Sequence, residues 1–137
     1  MTTTLNVSEG RGGVLCFDIV GVASVAAGGI GKVANPLGVD IAIIEEFLHI
    51  VTPATGAASI SIGIGTEAAA SSDIISALRV DGAITGKVYQ GAADAGAKTE
   101  VVPAVWTAAK FLNIAADVTT IALVAKLYLR FIRLDTD

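Results

Sequence analysis

The side chains able to do chemistry are few, and their densest group is Glu45-Glu46-Phe47-Leu48-His49. A Glu three residues before a His is the spacing that brings two metal ligands onto one face of a helix. On a strand, Glu45 and Glu46 point to opposite faces and cannot work as an acid/base pair on one substrate. No second motif of this kind accompanies the first, so no metal site is expected. Cys16 is the only cysteine, within Val14-Leu15-Cys16-Phe17-Asp18-Ile19, and it is far in sequence from the only histidine. It reads as a small buried hydrophobe, not as a nucleophile with a base. Ala26-Ala27-Gly28-Gly29-Ile30-Gly31 has the glycines of a phosphate loop but lacks the Gly-Lys-Ser/Thr ending and a following helical pattern, and reads as a β connection. No catalytic residue and no cofactor is expected, and the chain reads as a non-enzyme.

The remaining signals concern surfaces. Trp106 is the only tryptophan, and its fate is burial in the core or in an interface, in either case with a partner for its indole N–H. A sugar-stacking platform on Trp106, flanked by loops around Asp81 and over Gly91 to Thr99, is the carbohydrate-binding alternative. Lys126, Arg130 and Arg133 would share one helix face. A strand instead sets Ile121, Leu123, Ala125, Leu127, Leu129 and Phe131 against Lys126, Tyr128 and Arg130. The basic side could meet acidic groups of a partner, and solvation is its simpler fate. In Ser59-Ile60-Ser61-Ile62-Gly63-Ile64-Gly65 the isoleucines share one face, while Ser59, Ser61 and the glycines leave the other thin enough for a loop or a neighbouring copy to approach. The candidate interface residues are therefore Ser59, Ser61, Trp106, Lys126, Tyr128 and Arg130.

The elements that must position these residues read as β. Val14 to Val25 is one strand, or two broken near Gly21. Asp40 to Val51 is a strand and pairs with the strand ending at Gly65 as a hairpin through Thr52 to Gly56 or Ala57. Ser71-Ser72-Asp73 offers N-caps for a short helix near 73–78. Lys87 to Gln90, Glu100 to Trp106 and Lys110 to Ala115 are short strands, with Pro103 marking an edge or a bulge, and Thr119 to Leu134 is a long terminal strand. Residues 1–10 form an extended polar arm and 11–137 a single domain.

Composition limits the classes. Of 137 residues, 53% are hydrophobic but only 5% aromatic, and the mean hydropathy is +0.72. Lys32, Glu45, Glu46, His49, Lys126, Arg130 and Arg133 interrupt every apolar run before the roughly 18 residues a bilayer crossing needs, so no membrane span is expected. The N-terminus lacks the basic start and apolar run of a signal peptide. A net charge of −4 with scattered Lys and Arg argues against nucleic acid. The apolar excess then points to surface buried against copies of the chain or a larger assembly.

Thr55-Gly56-Ala57-Ala58-Ser59-Ile60-Ser61-Ile62-Gly63-Ile64-Gly65, then Ala69-Ala70-Ser71-Ser72-Asp73-Ile74-Ile75-Ser76-Ala77-Leu78-Arg79-Val80 and a terminal strand, resembles small head-associated virion proteins of tailed bacteriophages. Those carry Asn after Ser-Ser-Asp and Gly before the Leu-x-Val step, where this chain has Ile74 and Ala77. The resemblance implies a capsid decoration or cement protein: a jelly-roll-like β-sandwich, usually a homotrimer, made in the host cytoplasm and bound to the major capsid protein on the virion surface. It implies no catalytic or cofactor residues. A tail, neck or fibre-base component is the alternative within that class.

Overall fold

Side chains that alternate between apolar and small or polar every second residue build this molecule, because a strand sends neighbours to opposite faces. The computed structural model describes residues 12–22, 30–66, 74–81, 88–90, 104–116 and 120–135. Among them run β1 (Gly12–Val20), β2 (Gly31–Ala34), β3 (Ile41–Thr52), β4 (Ser59–Gly65), β5 (Ile75–Arg79), β6 (Val88–Gln90), β7 (Ala104–Trp106), β8 (Phe111–Ala116) and β9 (Val124–Arg133). The arm at residues 1–10, the Gly-rich 26–29, and the loop 91–99 lie outside the described residues.

The strands form two antiparallel sheets. One has the order β1-β9-β3-β6, with β7 also pairing β3; the other has the order β2-β8-β4-β5. The pairing is nested: β4 with β5, β3 with β6 and β7, β2 with β8, and β1 with β9. One long double strand is folded across itself, and the pairs β3–β9 and β4–β8 close each sheet. This is the wrap of a jelly roll, so the chain is an all-β sandwich as expected. Between the sheets lie Ile41, Ile43, Leu48 and Ile50 of β3, Ile60 and Ile62 of β4, and Ala125, Leu127, Leu129 and Phe131 of β9. Of the inward set expected for the terminal strand, Leu123, Ala125, Leu127, Leu129 and Phe131 are buried, and Lys126, Tyr128 and Arg130 lie on the other face. Ile121 is instead exposed, because β9 begins only at Val124 and Ile121 sits in the turn before it. Residues 120–123 make a turn, closed by a hydrogen bond from Leu123 N to Thr120 O (3.0 Å), in which Ala122 takes a left-handed φ of 70°.

Three expectations are corrected. Residues 75–78 of the expected helix are strand β5; Ile74 N donates to Ile62 O and Val80 N to Ala58 O (both 3.0 Å), and Ile74, Ile75, Leu78 and Val80 are buried. Pairing along β4 gives these β-branched and apolar side chains a sheet to pack in, which outweighs the helix-capping signal of Ser71-Ser72-Asp73. Secondly, β3 and β4 are not a hairpin, since they lie in different sheets and the link between them is a corner pinned by the bridge Ala54–Asp81. Each strand has its own partners, β9 for β3 and β8 with β5 for β4. Thirdly, Cys16 is exposed. Ile19 points into the core, so the strand's alternation turns Cys16 outward together with Asp18.

Candidate interaction surface

The outer face of the β1-β9-β3 sheet is built in rows fixed by register. Val14, Arg130 and Glu45 form one row; Cys16, Tyr128 and Phe47 the next; Asp18, Lys126 and His49 the third. A bulge at Ile44 makes this arrangement possible. It shifts the register of β3, so that Ile41 and Ile43 before it and Glu46, Leu48 and Ile50 after it all point inward despite opposite parity. Glu45 thereby faces out beside Arg130, and Glu46 lies inside at 3% exposure. His49, an odd number of residues from Glu46, is on the opposite face, so these two side chains do not share a metal. No cluster of metal-ligating side chains occurs among the described residues.

The cations on this face are matched within the chain. Lys126 Nζ donates to Asp18 Oδ1 at 2.9 Å, and Arg130 Nη1 donates to Glu45 Oε1. The Asp18 carboxylate raises the Lys126 pKa, first through that hydrogen bond and then through its charge. Beside these paired charges, which stay partly in solvent, the face exposes apolar side chains: Val14 at 58%, Val20 at 63%, and Val124 and Ile132 on the neighbouring strand. A shallow groove of about 410 Å³ opens at its end, over the bulge, between Gly12, Val14, Ile44, Arg130 and Ile132.

Ser59 and Ser61 lie on the outer side of the other sheet and are half-buried. On that side Gly63 and Asn113 face outward by register yet are buried, and Asn113 Nδ2 donates to Thr66 O at 3.2 Å. The smooth side of β4 is thus approached closely by the chain itself. Beside Ser59 in register, Arg79 donates through Nε (2.7 Å) and Nη2 (2.8 Å) to both oxygens of Asp81, whose Oδ1 also accepts from Ala58 N (3.3 Å). The guanidinium's hydrogen bonds hold the Asp81 carboxyl well below its usual range, at about 2, against an opposing effect of desolvation.

Trp106 belongs to neither surface. It has no exposure, stacks at a tilt on Phe17 with ring centres 6.2 Å apart, and donates Nε1–H to Lys110 O at 2.9 Å. The six residues named from sequence therefore divide into two outer faces and the core. Sequence reading missed Cys16, Val14 and Val20 as surface groups, although Asp18, two residues from both Cys16 and Val20, carried the signal: a lone charge on a strand marks the solvent side.

No protein-family model and no curated protein matches the chain. It is similar in structure to a chain described as "Capsid of Ralstonia phage GP4", at 14% identity and a TM-score of 0.48, over 99% of this chain and 93% of that one. A likeness at that score fixes neither fold nor function.

Proposed function

We propose that the protein is a structural component of a bacteriophage virion that decorates and cements the outside of the icosahedral head as a homo-oligomer, a trimer in the expected form. The observation that carries this reading is the outer face of the β1-β9-β3 sheet. Its charges are answered in the chain, while Val14, Val20, Val124 and Ile132 stand in solvent. Such a face suits burial against another protein surface and offers no chemistry of its own. The motif shared with head-associated virion proteins gives the direction of the reading. The jelly-roll wrap is compatible with it, being common in capsid domains, and also in lectins. In this role the protein would bind the major capsid protein, be found on the virion, and stiffen contacts between capsomers by spanning them.

Quantitative mass spectrometry of purified virions tests the reading. Decoration requires hundreds of copies per particle, a neck or tail part about a dozen, and absence from virions overturns both. The carbohydrate-binding alternative loses its platform, because Trp106 is enclosed and its N–H is used.

A further inference from the structure

Strand β1 ends its sheet. Among the described residues it pairs with β9 alone, and its nine residues exceed the other strands at sheet ends, β2, β5, β6 and β7, of four, five, three and three. The direction of its free hydrogen-bonding groups follows from the register. Gly21 N donates to Leu123 O, so odd-numbered residues of β1 turn their backbone toward β9 and Val14, Cys16, Asp18 and Val20 turn theirs to the open edge. Edges of this length and apolarity are usually blunted by proline, lysine or a bulge. This one carries Asp18 as its only charge and no proline. Its inward side chains Leu15 and Phe17 are only partly buried, so the core is open there as well.

We infer that β1 is a contact between two copies of this chain, made by antiparallel pairing of β1 with itself about a two-fold axis near Phe17. Self-complementarity selects this occupant and this register. With Phe17 opposite Phe17 of the second copy, Val14 opposes Val20 and Leu15 opposes Ile19, and the outward-turned backbone groups of Val14, Cys16, Asp18 and Val20 meet one another. The two most exposed apolar side chains of the strand then cover each other, and Val124, which pairs with Val20, extends each patch. A shift by one residue of the axis toward Asp18 would set Asp18 against its own copy, a like-charge pair; a shift the other way sets Val14 against Asp18. An antiparallel two-fold also keeps both β1 outer faces on one side of a continuous sheet. This rests on the proposed role and adds a second kind of contact to it: a two-fold pairing is complete at two copies and does not build a trimer, so on a shell it links one oligomer to its neighbour.

The test uses the full chain in solution. Sedimentation over a concentration series is expected to show a dimer step for the wild type. Cys16→Pro removes an N–H that faces the open edge, a position a folded monomer tolerates. It is expected to weaken that step about tenfold or more, with an unchanged circular dichroism spectrum. Val20→Asp, at an exposed site, should do the same. A short bifunctional maleimide should join Cys16 to Cys16 of the second copy, diagonal neighbours roughly 7–8 Å apart in this register. Amide exchange at Val14, Cys16, Asp18 and Val20 should slow only where the dimer forms. Protection of those amides in the monomer would mean a segment of the same chain covers the edge, and overturns the inference. So does a monomer at every concentration, or an oligomer indifferent to both variants. Either result leaves the virion reading to the copy-number measurement, which can fail independently.

Discussion

Gly21 and Thr120 are pressed together so closely that a methyl group on Gly21 would lie 1.8 Å from the carbonyl oxygen of Thr120. The contact closes a clasp between the end of β1 and the turn before β9. Val22 N donates to Thr120 Oγ1 (3.1 Å), Thr120 N to Val22 O (3.0 Å), and Gly21 N to Leu123 O (2.8 Å). Thr120 is buried, so its hydroxyl and backbone have these partners instead of water. Gly21→Ala should therefore destabilise the fold by about 3 kcal/mol or more, because backbone atoms, not a flexible side-chain end, must move. Chemical denaturation is the check: the midpoint should fall at a constant slope.

Arg79 and Asp81 predict a pH dependence. The Asp81 carboxyl titrates near 2 in the folded chain and at its ordinary 3.8 when unfolded. Its contribution to stability is thus complete above the ordinary value and is lost as the pH falls from there toward about 2. In Arg79→Ala the carboxyl should return toward its usual range. Carboxyl titration followed by NMR would report this directly. The thermal stabilities of the variant and the wild type should differ at neutral pH and converge in acid.

Much of this architecture was legible because the strands alternate. Ile60 and Ile62 sharing the core, and Leu127 and Leu129 opposing Lys126 and Tyr128, follow from a period of two. What escaped depends on partners distant in sequence. Nothing between Thr52 and Ser59 says whether the chain turns back beside itself or crosses to the other sheet. That choice is made by β8 and β9, which claim the edges of β4 and β3. The bulge at Ile44 was written as a change of parity, Ile41 and Ile43 against Leu48 and Ile50, but it acquires meaning only once all four are seen to need the same side. The helix expected near 73–78 rested on a capping signal with no long apolar face behind it. Of the candidate interface residues, Lys126, Tyr128 and Arg130 fell on one outer face as the alternation required. Trp106 did not, since its burial depends on Phe17 and Lys110 from other strands or turns.

Ile62 has no exposure and lies between β5 and β8, opposite Ile75 and Ile114. Ile62→Ala should cost about 2–5 kcal/mol through lost contacts and the cavity left behind. Ile62→Asp should unfold the domain, since the added carboxylate would be buried among isoleucines with no partner. Loss of the dispersed NMR spectrum is the expected observation for the aspartate, and a lowered but cooperative transition for the alanine.

Trp106 ties three parts of the sandwich together: its own strand β7 on β3, the Phe17 ring of β1, and the carbonyl of Lys110 before β8. Trp106→Ala should cost about 3–5 kcal/mol, the range for deleting a large buried aromatic side chain. Trp106→Phe should cost less, since it keeps most of the packing but leaves the Lys110 carbonyl without its donor. The pair separates a structural tryptophan from a binding one. If Trp106 were a stacking platform, the alanine variant would remain as stable as the wild type and lose only ligand. The expected result is a graded loss of stability, alanine below phenylalanine below wild type, with wild-type tryptophan fluorescence blue-shifted and shielded from soluble quenchers until the chain unfolds.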